Sequence, residues 1–180
     1  MNKKTREMVL AAILTALSIL ITYSPVKLQL PFFTLTVGSH TPTLLAMLIS
    51  PWVVVMTVIG SCIGFFMTIP APNSIIVVLR AATHLIFALA GCKMIKDKKL
   101  NIYLIILITG VLHALAEGIV VFGLTPIILP GEAAIPAAVI AISGTFVHHL
   151  LDCAITAPIA IALGRAKIIP KLTQTLKIGR

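Results

Sequence analysis

Charge is what this sequence has least of. Only 11% of its 180 residues are charged and 59% are apolar, whereas soluble domains carry about 25% charged residues. That excludes a soluble globular protein and leaves no room for a second, soluble domain, so residues 1–180 read as a single integral membrane domain. Acidic residues are scarcest, with five in all: Glu7, Asp97, Glu117, Glu132 and Asp152. Cys62, Cys92 and Cys153 are odd in number and lie in or beside apolar runs, which excludes a disulfide framework; they read as small packing residues. Aromatics make up 6% of the chain, and Trp52 is the lone tryptophan. No G-x-x-x-x-G-K-[ST] occurs, so the chain cannot drive transport through a P-loop of its own. Neither H-E-x-x-H nor H-x-x-E-H is present, and Ser143 lies in AISGT, not in a G-x-S-x-G nucleophile elbow. Nothing therefore marks an enzyme. There is no internal repeat, heptad or low-complexity segment.

What charge there is lies mostly at the ends of apolar runs. The net charge is +9. Lys3, Lys4 and Arg6 precede the first run. Lys93, Lys96, Lys98 and Lys99 fall in one short loop, KMIKDKK, and Arg165, Lys167, Lys171, Lys177 and Arg180 form the tail. This is the positive-inside pattern of a membrane protein, not a nucleic-acid surface. The basic start followed by an apolar run resembles a signal peptide, but no A-x-A-like site follows, so it reads as a retained first helix.

Six spans are expected. The first runs roughly from Glu7 to Tyr23. A long loop, SPVKLQLPFFTLTVGSHTP, follows; its alternating apolar residues and three prolines exclude a helix. The second span is LLAMLI extended by its flanks, ending at the breaker Ser50–Pro51. It is short for a crossing that takes about 20 residues. The third runs from about Trp52 to Thr68, the fourth from Ser74 to Gly91, the fifth from Ile102 to Gly123, and the sixth from Ala137 to Gly164, with Pro158 as a kink. An even number of spans puts both termini on one side. The charge rule makes that side cytoplasmic, leaving only Lys27 and Glu132 in the outer loops.

Against this apolar background a few ionisable residues are stranded inside the spans: Arg80, His84, His113, Glu117, His148, His149 and Asp152. A charge at bilayer depth is costly unless it is paired or faces water, so each is a candidate for function. Arg80 falls about 9–12 Å below the outer end of its span and Glu117 about 9 Å below the outer end of the next. They share a depth and carry opposite charge. His84 and His113 sit one turn deeper, four residues from Arg80 and Glu117. His40 lies near the outer start of the second span. One reading is an Arg80–Glu117 pair that locks helices, with the histidines as interhelical glue. The other is an outward-facing pocket in which the Arg80 guanidinium binds an anion while Glu117 orients it. His148, His149 and Asp152 fall in the inner half of the last span and read as packing. Because the groups stand at different depths, no metal is expected. Ala12 and Ala16 give a small-xxx-small face on the first helix, and Gly60 and Gly64 another on the third.

The run R-A-x-x-H at Arg80–His84, the run H-A-x-x-E at His113–Glu117, the Ala12-x-x-x-Ala16 face, the long first outer loop and the six spans together resemble an S component. S components are the substrate-binding subunits of energy-coupling-factor (ECF) vitamin transporters; the likeness is to the pantothenate- or niacin-type and covers nearly the whole chain. The resemblance implies an all-α bundle in the bacterial cell membrane that captures a vitamin on the outer side. It implies docking through Ala12 and Ala16 onto a membrane coupling subunit (the T component). Two cytoplasmic ATPases then drive release inward, so the chain needs no cofactor of its own and the ATP belongs to its partners. Cobalt and nickel members carry a histidine after the initiator Met; Asn2 stands there instead. With few aromatics, a flavin or thiamin site is disfavoured. A small carboxylate suits Arg80, with polar groups for Glu117, His84, His113, His40 and Asn73. Pantothenate is the first expectation. Nicotinate is the alternative, with Phe32 or Phe33 covering its ring. A self-sufficient facilitator and a ligand-free structural subunit are the competing classes.

Overall fold

The computed structural model describes residues 2–30 and 33–169. Six helices and one hairpin follow in order: α1 (Lys3–Ile21), β1 (Lys27–Gln29), β2 (Thr34–Thr36), α2 (Thr41–Met47), α3 (Pro51–Thr68), α4 (Asn73–Asp97), α5 (Ile102–Ile128) and α6 (Ala134–Arg165). Three helices begin where the sequence supplies a side-chain cap. The Asn2 carboxamide accepts from Thr5 N–H, Ser50 Oγ from Val53 N–H, and Asn101 from Leu104 N–H; each satisfies a backbone donor that an opening turn leaves free. Pro51 opens α3, where its missing N–H costs nothing.

Four helices, α3 to α6, are long and apolar enough to cross a membrane. α1 has 19 residues, but Lys3, Lys4, Arg6 and Glu7 crowd its start. The exposed side chains around the bundle are apolar, among them Ile13, Leu20, Ile63, Phe66, Ile119 and Val147. On a soluble protein such a surface would be an aggregation hazard; here it suits hydrocarbon.

The second span departs from expectation. α2 has only seven residues, about 10 Å of rise, and cannot cross a hydrocarbon core of about 30 Å. The long loop before it folds into an antiparallel hairpin that pairs Lys27 with Thr36 and Gln29 with Thr34. β2 and the turn after it are largely buried, and every residue of α2 is buried. α2 touches α1, α3, α4 and α6. β2, the turn and the short helix together fill the middle of the bundle, while β1 is exposed. Irregular backbone at such depth is tolerated only where protein surrounds it.

Two further boundaries differ. α4 runs on to Asp97, so Lys93 and Lys96 are helical, not in a loop, and Lys98 in the left-handed region (φ 53°) ends the helix. α5 continues through Pro126 to Ile128. Gly60 and Gly64 serve internal packing. A Cβ at Gly60 would stand 2.7 Å from the Thr15 carbonyl oxygen, and one at Gly64 2.8 Å from Thr22 Oγ1. These glycines let α1 and α3 touch backbone to backbone.

The first turn of α1 meets the residues just after α6 at one end of the bundle. The Arg6 guanidinium donates to the carbonyls of Lys167 (2.7 Å) and Ile168. At the same end Lys3, Glu7, Ser50, Lys93, Lys96 and Lys98 line a groove of about 900 Å³. Lys171, Lys177 and Arg180 lie outside the described residues, as does Phe32. All three cysteines are free thiols.

Candidate functional site

The polar residues of four elements converge at the centre of the bundle. α4 supplies Arg80 and His84 one turn apart, α5 supplies His113 and Glu117, and α6 supplies Thr145, His148, His149 and Asp152. The N-cap of α2 supplies His40. All nine of these residues are buried, none more than 4% exposed.

Glu117 is the hub. Its Oε2 accepts from Arg80 Nε at 3.0 Å, Arg80 Nη2 at 2.5 Å and Thr145 Oγ1 at 2.5 Å. Its Oε1 faces His84 Nε2 at 3.1 Å and His113 Nε2 at 3.2 Å. These donors offset the cost of burying the carboxylate. His113 Nδ1 in turn meets His149 Nδ1 at 3.2 Å, and His149 Nε2 meets Thr109 Oγ1 at 3.2 Å. The Thr109 hydroxyl donates to the carbonyl of Ile105 at 2.7 Å.

Asp152 organises the other half. Its carboxylate accepts from the backbone N–H of Gly38 (2.8 Å) and His40 (2.9 Å), and meets His40 Nδ1 at 2.9 Å and His148 Nε2 at 3.1 Å. An anion at the start of a helix is favoured by the helix's free N–H groups, so Asp152 anchors α2 in place. His148 Nε2 also lies 3.1 Å from the Thr36 carbonyl, tying the hairpin to α6.

This geometry corrects the reading that placed the charged groups in separate layers. His40 is not near an outer surface; its ring stands 4.7 Å from His84, 4.5 Å from His113 and 4.6 Å from His148, centroid to centroid. It joins the Glu117 and Asp152 groups into one cluster. The depth argument against a metal therefore fails: donor atoms of His40, His84, His113 and Glu117 all lie within 4.8 Å of one another.

The cluster borders a small cavity lined by Thr34, Ser39, His40, Arg80, His84 and Glu117, among others. Its volume is about 10 Å³, room for roughly one water molecule. Two buried side-chain atoms in its wall residues have no partner, Arg80 Nη1 and His84 Nδ1. The Phe33 ring packs under the guanidinium, 4.9 Å from Arg80 Cζ. Gly144 makes room for that ring, since a Cβ there would meet Phe33 Cζ at 2.6 Å. A guanidinium with one open N–H edge, beside an aromatic face, is equipped to take an anion.

Arg80, Glu117, His84, His113, His40 and Phe33 thus come together. Asn73 does not line the cavity; it opens α4 seven residues before Arg80, and its buried Oδ1 has no partner. Phe122 is exposed. Ser143 is exposed and donates only to the carbonyls of Val139 and Ile140, so it has no base beside it. Thr145 was not singled out by the sequence, although it lies three residues before His148 and so on the same face of α6. Ala12 and Ala16 are exposed on α1, while Ala11, Leu14 and Ser18 of the same helix are buried.

Comparison with known proteins adds the deciding observation. The chain is 31% identical over 179 residues to the niacin transporter NiaX of Lactococcus lactis subsp. cremoris (strain MG1363), covering 93% of this chain and 76% of that one. The chain belongs to the S components of ECF vitamin transporters. No family model matches it, and no solved structure matches it. As an S component it is a multi-pass membrane protein and a transporter subunit, not an enzyme. The central cluster is the place in this S component where buried polar groups and an open guanidinium edge coincide.

Proposed function

We propose that this S component captures niacin, as the nicotinate anion, in the cavity beside Arg80. The observation that carries the reading is the open Nη1 of Arg80. Glu117 occupies the other two guanidinium nitrogens and fixes their direction, leaving one donor for a carboxylate. Phe33 offers a flat apolar face next to it, suited to one aromatic ring. Pantothenate, first favoured on its carboxylate and polar aliphatic body, gives way for two reasons. A relative sharing 31% identity with the chain is a niacin transporter. The cavity is also tight, and a compact ring with one carboxylate demands less widening than an extended chain. Entry of either vitamin requires the hairpin to shift, because Thr34 and Ser39 close one side of the cavity.

Delivery would follow the ECF scheme. The chain has no P-loop, so a T component and two ATPases supply the energy. Ala12 and Ala16, small and exposed on α1, form the docking face. The basic groove, where Lys3, Lys93, Lys96 and Lys98 gather, faces the cytoplasm under the positive-inside rule, and so do both chain ends. The protein then sits in the bacterial cell membrane with its hairpin toward the outside.

Mass spectrometry of the small molecule that co-purifies with the full chain tests this reading. Nicotinate is the expected species. Pantothenate at stoichiometric amount would overturn the niacin reading and restore the first expectation.

A further inference from the structure

The two oxygens of Glu117 face different surroundings. Oε2 is taken by Arg80 and Thr145. Oε1 is met only by imidazole nitrogens, at 3.1 Å from His84 and 3.2 Å from His113. His40 completes a group of four buried donors within 4.8 Å of one another. In a tetrahedral site with bonds of about 2.0–2.1 Å, donors stand roughly 3.3–3.4 Å apart. Two edges of the group are already close to that spacing.

Independent contacts hold the ligands from behind. His40 is fixed through Nδ1 by Asp152 at 2.9 Å, the carboxylate–histidine arrangement that orients imidazole ligands in metal sites. His113 is fixed through Nδ1 by His149 at 3.2 Å. Glu117 is fixed through Oε2. His84 Nδ1 alone is buried without a partner. Charge points the same way. With neutral imidazoles, one guanidinium against two carboxylates leaves the buried cluster with a formal single negative charge, which a buried site must balance.

We propose that His40, His84, His113 and Glu117 form a binding site for one divalent transition-metal ion of the zinc, cobalt or nickel class. Three imidazoles and one carboxylate suit these ions and not calcium or magnesium, which take oxygen ligands. The ion would sit beside the anion cavity. A dication there turns the cluster's formal charge to a single positive one, and a bound monocarboxylate returns it to zero. That last step rests on the niacin reading; the metal site does not.

The test uses the full chain in detergent, carrying an affinity tag without histidine and stripped with a chelator. Zinc is added without vitamin, excess is dialysed away, and bound metal is measured by elemental mass spectrometry. One zinc per chain is expected, and cobalt in its place should give the visible absorption of a four-coordinate nitrogen–oxygen site. Asp152→Asn should weaken binding about 10–100-fold by releasing His40, and His84→Ala or His113→Ala should weaken it further. A monodisperse wild-type chain that retains no zinc overturns the site, whatever the variants do. So does zinc retained equally after both histidine substitutions. A parallel nicotinate titration keeps the two proposals separate. Zinc without nicotinate binding supports the metal site and removes the vitamin. Nicotinate bound by a chain that takes no zinc does the reverse.

Discussion

Arg80 grips Glu117 with two of its three guanidinium nitrogens, Nε at 3.0 Å and Nη2 at 2.5 Å, both on the single oxygen Oε2. The third nitrogen, Nη1, is buried and has no partner. The pair locks α4 to α5 and leaves one guanidinium edge for the proposed anion. The lock and the proposed binding role meet in one contact.

Replacing Arg80 separates them. Arg80→Ala should weaken nicotinate binding at least about thirtyfold, since truncating one side of a buried charged contact costs ~2–5 kcal/mol. It should also destabilise the fold by ~3–5 kcal/mol, because Glu117 is left buried without its cation. Arg80→Lys keeps the charge but loses the fork. Its thermal unfolding in detergent should stay closer to wild type while binding still falls. Equal binding by Arg80→Lys and wild type would remove the guanidinium fork from recognition.

Asp152 anchors α2 and does not line the vitamin cavity. Asp152→Ala leaves the N–H groups of Gly38 and His40 and the His40 ring unpaired in a buried setting. Each orphaned group costs about 1–3 kcal/mol, so the melting temperature should fall steeply. Asp152→Asn keeps an acceptor and should fall less. Unchanged melting of Asp152→Ala would show that α2 is held by its apolar contacts alone.

The small residues of α1 and α3 should divide into two classes. Gly64→Val intrudes where a Cβ already meets Thr22 and Ile19 of α1, and overpacking of this kind costs about 1–3 kcal/mol. Its effect should appear as lost stability. Ala12→Trp and Ala16→Trp lie on the exposed face and should leave folding and vitamin binding intact, yet abolish uptake in cells that carry the coupling subunit and ATPases. Full uptake by both tryptophan variants would move the docking face elsewhere.

Much of this was readable from residue order. The runs at Arg80–His84 and His113–Glu117 place donors one helical turn apart, and the matched depths of Arg80 and Glu117 follow from counting residues along two helices. What could not be read is the path of residues 33–40. Their alternating pattern excludes a helix but does not say that the segment folds inward. Because it does, His40 stands at the start of a seven-residue helix in the middle of the bundle and reaches His84, His113 and His148 together. Asp152 looked like packing because, apart from His148 one turn away on its own helix, its partners are the His40 ring and the backbone N–H groups of Gly38 and His40, far away in sequence and announced by no motif. The extension of α4 through Lys93 and Lys96 was hidden for a related reason: charge density suggested a loop, but lysine is a good helix former.

The most direct measurement is a calorimetric titration of the purified chain, without partners or ATP, with nicotinate, nicotinamide and pantothenate. The account predicts saturable binding of nicotinate at one molecule per chain. It predicts much weaker binding of nicotinamide, which has the ring but no carboxylate for Arg80, and of pantothenate, which has the carboxylate but no ring for Phe33. Nicotinamide bound as tightly as nicotinate, or pantothenate bound more tightly than either, would contradict it.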